Sequence, residues 1–148
     1  MKFSIITVCL NSEKTIQKTI ESVISQTYQN FEYIIIDGGS TDNTINIINK
    51  FKNHIYKIVS EKDDGIFDAI NKGIKIANGN IISIIHSDDF LYNNNTLNII
   101  KRYFEENHNL ECLMGTTLIK KKNSQNIFRK YNPTIFKKWM LYFGFSPP

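Results

Sequence analysis

The fold of this chain is indicated most clearly by the stretch Phe31-Glu-Tyr-Ile-Ile-Ile-Asp37, followed by Gly38-Gly39-Ser40-Thr41-Asp42. Its first part is a short run of apolar and aromatic residues, which is typical of a strand buried on both faces of a sheet. Its second part is rich in glycine and small polar residues and predicts a loop. Because helical periodicity resumes over residues 44–51, the stretch predicts a strand, a loop and a helix in succession.

The same succession recurs along the chain. We predict further strands over residues 3–10, 55–60 and 81–85, and further helices over residues 13–25, 66–77 and 96–106. Asn11 or Ser12 is the expected N-cap of the first of these helices. The later pattern predicts strands over 111–119 and 127–130 and a helix from Pro133 toward Phe143. The alternation favours a Rossmann-like α/β fold, with a mostly parallel central sheet flanked by helices.

Length and composition indicate an ordinary globular chain. The 148 residues fit a single domain, 1–148, and the hydrophobic fraction of 41% and charged fraction of 22% exclude a disordered or fibrous class. The apolar run Phe3–Leu10 is too short to span a bilayer, and no other window reaches that length. The two cysteines, Cys9 and Cys112, lack metal-ligand spacing. We therefore expect a cytoplasmic protein in a reducing compartment.

The net charge of +4 narrows the choice of partners. A mildly basic chain fits an anionic ligand such as a nucleotide diphosphate, and it also fits peripheral contact with the acidic inner-membrane surface. No recognition motif for nucleic acid accompanies the charge, so no nucleic-acid partner is expected.

Polar clusters follow the predicted strands at the point where each strand ends. They are Asn11, Asp37, the segment from Glu61 to Asp64, and the pair Asp88 and Asp89. The carboxyl ends of parallel strands meet at one edge of a sheet, where ligands bind in such folds. The sequence therefore predicts a ligand site at that edge.

Asp88-Asp89 is the sharpest of these clusters. Two adjacent carboxylates after a buried strand favour a divalent cation, which could bridge a diphosphate and neutralise the charge on it as it departs. The alternative is that Asp88 caps a helix while Asp89 is solvated. His86, just before the pair, is a third metal ligand, a substrate contact or a core histidine.

The other two acidic clusters allow functional and structural interpretations. Asp37 could accept hydrogen bonds from a ribose hydroxyl or a base N–H, or it could end an ordinary turn in which Asp42 caps the helix at Thr44. In the segment after Glu61, Asp68 and Lys72 share a helix face, which suits either a pocket or a surface ion pair.

Taken together and in this order, the clusters resemble the family 2 glycosyltransferases of the glycosyltransferase A fold. The resemblance covers nearly the whole chain and rests on the stretches 4–11, 25–37, 38–44 and 86–89. The stretch Asp63-Asp-Gly-Ile-Phe-Asp-Ala-Ile-Asn-Lys-Gly73 is similar to the branch linked to bacterial polysaccharide and lipopolysaccharide synthesis.

The resemblance implies inverting sugar transfer from a nucleotide-diphosphate-sugar, often UDP-linked, to a glycan or lipid-linked acceptor, with Mg²⁺ or Mn²⁺ as cofactor. It also implies a role for each matching residue. Val8, Leu10 and Asn11 line the nucleoside region, Asp37 contacts the base or ribose, Asp63 and Asn71 complete the donor pocket, Asp88 serves both donor and metal, and Asp89 serves the metal.

The chain departs from the family pattern at three positions. Gly38 and His86 stand where many relatives carry acids, and Ile70 stands where many carry arginine. The chain also stops at Ser146-Pro147-Pro148. We expect the acceptor site and the general base to lie beyond Pro148, so this chain would be the donor-binding part with an incomplete C-terminus.

Other functions and a further partner follow from the same observations. Core surface left uncovered by the missing part would favour a homodimer. A non-catalytic nucleotide-binding fragment is one alternative function. A sugar-nucleotide nucleotidyltransferase is another, although its phosphate loop should be rich in glycine and basic residues, whereas this loop reads Asn11-Ser-Glu-Lys14.

Overall fold

The computed structural model describes residues 1–120 and 127–131. Its strands are β1 (Phe3–Cys9), β2 (Phe31–Asp37), β3 (Lys57–Ser60), β4 (Ile81–Ile84), β5 (Thr117–Lys120) and β6 (Ile127–Tyr131). Its α-helices are α1 (Ile16–Ile24), α2 (Thr44–Lys50), α3 (Ile66–Ile76) and α4 (Thr96–Glu106), with a 3₁₀ turn at Lys52–His54. The helix predicted from Pro133 toward Phe143 lies outside the described residues.

Strands β1 to β4 form one parallel sheet in the order β3-β2-β1-β4. Strand β1 is buried along its whole length, and β2 is buried from Glu32 onward. The predicted parallel sheet flanked by helices is therefore confirmed. The register brings Cys9, Asp37 and Ser60 side by side at the carboxyl edge, which is where the sequence predicted a ligand site.

Alternating residues of the two central strands build a core on each face of the sheet. On one face, Phe3, Ile5, Tyr33 and Ile35 pack with buried residues of α1, α2 and α4. On the other face, a smaller cluster surrounds α3 and is made of Ile6, Val8, Ile34, Ile36 and Ala69. This alternation follows from the two-residue period of a strand.

Close contact between α3 and β1 depends on Gly73. A Cβ built at Gly73 would lie 2.5 Å from Cγ2 of Ile6, which is 0% exposed and has no room to move away. We expect Gly73→Ala to lower the free energy of unfolding by about 1–2 kcal/mol, because overpacking costs more than the gain in helix propensity returns. Urea unfolding measures this effect, with exposed Lys75→Ala as the control. A Gly73→Ala protein as stable as the wild type would contradict the packing.

The buried carboxylate of Glu32 is stabilised in its charged form by an ion pair and by hydrogen bonds. It accepts from Lys2 Nζ at 2.5 Å, Ser4 Oγ at 2.6 Å and the Asn78 backbone N–H at 2.5 Å. Burial raises the pKa of Glu32, but these hydrogen bonds outweigh burial and hold the pKa below its ordinary value of 4.5. The charged form is thus the one that the fold stabilises.

Because the pKa of Glu32 is lowered in the folded chain, the ionised carboxylate adds to the free energy of unfolding above pH 4.5. This stabilisation is lost as pH falls through the folded-state pKa. We expect Glu32→Gln to cost about 1–3 kcal/mol at pH 7. The difference in free energy of unfolding between the wild type and Glu32→Gln should then narrow below pH 4.5. Urea unfolding of both proteins at pH 7 and pH 3.5 tests this, and a gap that widens at the lower pH would contradict it.

Several element boundaries differ from the sequence-based ones. Helix α1 begins at Ile16 instead of residue 13, because the amides of Ser12 and Glu13 donate to Thr44 Oγ1 at 2.7 Å and to Asp42 Oδ2 at 3.1 Å. The predicted cap at Asn11 or Ser12 was therefore wrong, and the residue preceding α1 is Thr15. Strand β5 begins at Thr117 instead of residue 111.

The chain divides into two compact units, Met1–Glu106 and Asn107–Pro148. The first unit holds the parallel sheet, and in the second β5 pairs antiparallel with β6. The predicted single domain stays a prediction. None of the helices described within residues 1–120 and 127–131 has both the length and the apolar character needed to cross a membrane.

Candidate functional site

A cavity of about 620 Å³ opens at the carboxyl edge of the parallel sheet. Its lining comes from the end of β1, the turn before α1, the loop before α2, the start of α3 and the segment after β4. Since the first two are continuous in sequence, four separate segments meet here, as expected for the ligand edge of an open α/β sheet. The predicted residues that line it are Val8, Leu10, Asn11, Asp63 and Asp88.

Asn11 connects two of these segments. Its backbone is left-handed, with φ at +49°, and its side-chain Oδ1 accepts from the Thr41 N–H at 2.9 Å. The Asn11 N–H in turn donates to Ser40 Oγ at 2.8 Å. An asparagine tolerates this conformation better than most residues, so the residue type suits the turn as well as the cavity.

Asp37 lies beneath the loop after β2 and has no solvent-exposed surface (0%). Its carboxylate accepts from Gly39 N–H at 3.2 Å, Ser40 N–H at 3.0 Å, the Ser40 hydroxyl, and Ser60 Oγ at 2.7 Å. Burial and the nearby Asp37 charge raise the pKa of the Cys9 thiol, which therefore stays protonated. In this arrangement Asp37 organises the loop, and its predicted contact with a nucleoside stays a prediction.

Asp63 occupies the space above Gly38. A Cβ built at Gly38 would lie 2.5 Å from Asp63 Oδ2 and 3.0 Å from its Cγ. Asp63 Oδ1 also accepts from the Gly65 N–H at 3.0 Å, just before α3. The absence of a side chain at position 38 thus allows the Asp63 carboxylate to approach the end of β2.

Asp88 lies on a tight turn after β4. The turn is closed by the Asp89 N–H, which donates to the His86 carbonyl at 3.0 Å. Asp88 and Asp89 are both exposed, but only Asp88 is among the described residues that line the cavity. Partial loss of solvation at the Asp89 carboxyl and the adjacent Asp88 charge raise the pKa of Asp89, whereas the charge of His86 acts to lower it. Among the described residues, no ion pair with lysine or arginine joins either of these two carboxylates.

Three predicted residues, Asp37, Asn71 and Asp89, are not among the residues that line the cavity, and other residues line it that the sequence did not single out. Besides Asp89, Asn71 is exposed on α3 and is not among the lining residues. Asp42 accepts from the Thr44 N–H at 3.0 Å and lines the cavity, but the residue at the N-cap position of α2 is Asn43 and not Asp42 as predicted. Lys14 and Thr15 line it because α1 begins late and leaves them in the loop at the sheet edge.

The cavity is acidic. Glu13, Asp42, Asp63 and Asp88 line it, and Lys14 is the only lysine or arginine among its described lining residues. A nucleotide diphosphate would meet net repulsion here unless a cation came with it. Within the part of the chain that the structure describes, no three His, Cys, Asp or Glu side chains cluster closely enough to hold a metal ion alone. The ion would need ligands from the nucleotide itself.

Comparison of the sequence with protein families and curated proteins gives a consistent result. Residues 4–145 match the profile described as Glycosyl transferase family 2. A PGL/p-HBAD biosynthesis glycosyltransferase of Mycobacterium tuberculosis is 32% identical over 124 residues, which cover 82% of this chain and 48% of the relative. A poly-beta-1,6-N-acetyl-D-glucosamine synthase of Staphylococcus epidermidis is 36% identical over 82% of this chain and 30% of its own length. The chain thus spans about half the length of the mycobacterial relative.

Solved structures agree in fold. S. aureus TarS 1-349 in complex with UDP-GlcNAc superimposes with a TM-score of 0.68 at 31% identity, over 87% of this chain and 37% of that one. The mannosyltransferase PcManGT of Pyrobaculum calidifontis, solved with GDP-Man and Mn2+, has a TM-score of 0.67 at 20% identity over 81% of this chain and 36% of that one. The second likeness shows the fold only. The family match and the acidic cavity at the sheet edge lead to one conclusion: this chain belongs to glycosyl transferase family 2.

Proposed function

We propose that this chain is the donor-binding part of an inverting glycosyltransferase that takes its sugar from a UDP-linked donor and uses Mg²⁺ or Mn²⁺. The acceptor is a glycan or a lipid-linked sugar, in keeping with the names of the relatives, one of which is the E. coli UDP-Glc:alpha-D-GlcNAc-diphosphoundecaprenol beta-1,3-glucosyltransferase WfaP, 46% identical over 88 residues. The observation that carries the proposal is the exposed Asp88 carboxylate in an acidic cavity at the carboxyl edge of the sheet.

Asp88 and Asp89 are the residues that would hold the metal ion. Mg²⁺ is commonly bound in proteins by one or two carboxylates together with substrate phosphates and waters, so a pair of acids without a third ligand among the described residues fits this ion. When bound, the ion supplies positive charge that stabilises a diphosphate leaving group. The requirement for both ion and nucleotide also explains how an acidic cavity would accept an anionic donor.

The remaining cavity residues bind and orient the nucleotide. Val8, Leu10 and Asn11 form one wall at the end of β1, and Asp63 stands at the start of α3. We assign Asp63 to recognition of the base or ribose, since it lines the cavity and fills the space over Gly38, just after β2. Asn71 stays a proposed donor contact on α3, outside the described cavity lining, and the buried Asp37 supports the loop that borders the cavity.

Calorimetric titration of the 148-residue chain with UDP and with GDP, each with and without Mn²⁺, tests the proposal. We expect UDP to bind in the presence of Mn²⁺, with at least tenfold loss of affinity in EDTA and weaker binding of GDP. Binding of neither nucleotide to a chain with intact circular dichroism would contradict the proposed function. Equal binding of UDP with and without metal would contradict the metal dependence alone.

A further inference from the structure

We propose that Thr19, on the buried side of α1, is a positioning residue that fixes the turn carrying Asp88 and Asp89. The inference rests on the proposed function, since it concerns how the acids of that site are oriented. Thr19 is 1% exposed and lies among the apolar residues of α1, next to Ile20. A hydroxyl in this position needs a hydrogen-bond partner, because a buried polar group without one costs free energy.

The partners of the Thr19 hydroxyl lie on the acidic turn. Thr19 Oγ1 is 2.9 Å from the Ser87 carbonyl oxygen and 2.7 Å from the Asp89 carbonyl oxygen. One hydroxyl proton thus serves the two carbonyls on either side of Asp88. Threonine inside a helix commonly bonds a carbonyl of its own preceding turn, whereas this one donates to a segment 68 residues further along the chain.

These bonds determine where Asp88 lies. The turn is closed at one point by the Asp89 N–H donating to the His86 carbonyl. With the carbonyls of Ser87 and Asp89 both directed to Thr19, the backbone on each side of Asp88 is fixed. Asp88 itself stays exposed at the cavity. A ligand group held on such a tethered turn loses less conformational freedom on binding than one on a free loop.

Gln26, two residues after the end of α1, contacts the same loop farther from the acids, which provides a control. Gln26 is 1% exposed, donates to the Asn93 carbonyl at 2.7 Å and accepts from the Leu97 N–H at 3.1 Å. Loss of Gln26 should weaken the fold without changing the backbone around Asp88. Thr19 and Gln26 therefore separate positioning of the acids from general stability.

The test compares Thr19→Val, Thr19→Ser and Gln26→Leu with the wild type. Valine keeps the shape of threonine without the donor, and serine restores the donor. We expect Thr19→Val to weaken Mn²⁺-dependent UDP binding about three- to tenfold, the range of one net hydrogen bond, and to speed hydrogen exchange at the Asp89 amide by a similar factor. Thr19→Ser should return both to within about twofold of wild type. Gln26→Leu should lower the melting temperature and leave the UDP affinity unchanged.

Each outcome decides the proposal. Wild-type affinity and wild-type exchange in Thr19→Val would overturn it, as would a loss of affinity in Gln26→Leu equal to that in Thr19→Val. If the wild type itself shows no Mn²⁺-dependent UDP binding, the proposed function fails. Exchange at the Asp89 amide, which needs no ligand, then decides alone whether Thr19 fixes the turn.

Discussion

Asp88→Asn is expected to lower the affinity for UDP in the presence of Mn²⁺ by about 100-fold or more. Removing groups that merely support a metal ligand costs 10–100-fold, so loss of the ligand charge itself should reach at least the upper end of that range. Without metal the effect should reverse in sign, because one of the four carboxylates that repel the diphosphate is gone. Calorimetric titration with UDP, in Mn²⁺ and in EDTA, measures both effects.

The control for this experiment is Asp64→Asn. Asp64 is also an exposed acid close to the sheet edge, but it does not line the cavity. Its replacement should change UDP affinity in Mn²⁺ by less than about threefold, as expected from a distant surface charge. Equal losses in both variants would mean that only the general charge of the surface matters, and would contradict the assignment of Asp88.

Asp37→Asn is expected to lower the free energy of unfolding by about 2–4 kcal/mol. The buried carboxylate accepts from two backbone amides and two hydroxyls, and an amide side chain would direct its own NH₂ group at some of these donors. UDP affinity should fall as well, because the loop that borders the cavity loses its support. Urea unfolding at pH 7, together with the UDP titration, measures the two effects.

Asp42→Asn provides the matched comparison for Asp37. Asp42 is less buried, and its hydrogen bonds to Thr44 and Glu13 outweigh burial and lower its pKa. Its replacement should lower the free energy of unfolding by clearly less than Asp37→Asn does, because the Asp42 carboxylate is the more exposed of the two. If Asp37→Asn is as stable as the wild type but loses UDP affinity, then Asp37 contacts the nucleoside directly and does not organise the loop.

The hydrophobic pattern was sufficient to predict the parallel sheet. Strands β1 and β2 are continuous apolar runs because both faces are covered, and that signal survives without knowledge of tertiary contacts. Helix α4 was predicted with its observed bounds, Thr96–Glu106, whereas α1 begins three residues later than predicted. The difference arises because the amides before α1 bind Asp42 and Thr44, which are distant in sequence.

The site was only partly predictable for the same reason. The sequence shows that acidic residues follow the predicted strands, and this pattern predicted that Asp63 and Asp88 would lie at one site, where both line the cavity. The buried Asp37 accepts a hydrogen bond from Ser60, which is 23 residues away in sequence. The position of Asp63 depends on the absence of a side chain at Gly38. The contacts of Thr19 with the acidic turn join residues 68 and 70 positions apart, which no local pattern reveals.

In the proposed function, metal and nucleotide share one site at Asp88. The most direct test is to measure the dissociation constant of Mn²⁺ with and without saturating UDP, and that of UDP with and without saturating Mn²⁺. We predict that each ligand tightens the other by the same factor, of about tenfold or more, since coupling free energies are reciprocal. Independent binding of Mn²⁺ and UDP, or coupling that persists in Asp88→Asn, would contradict a shared site at Asp88.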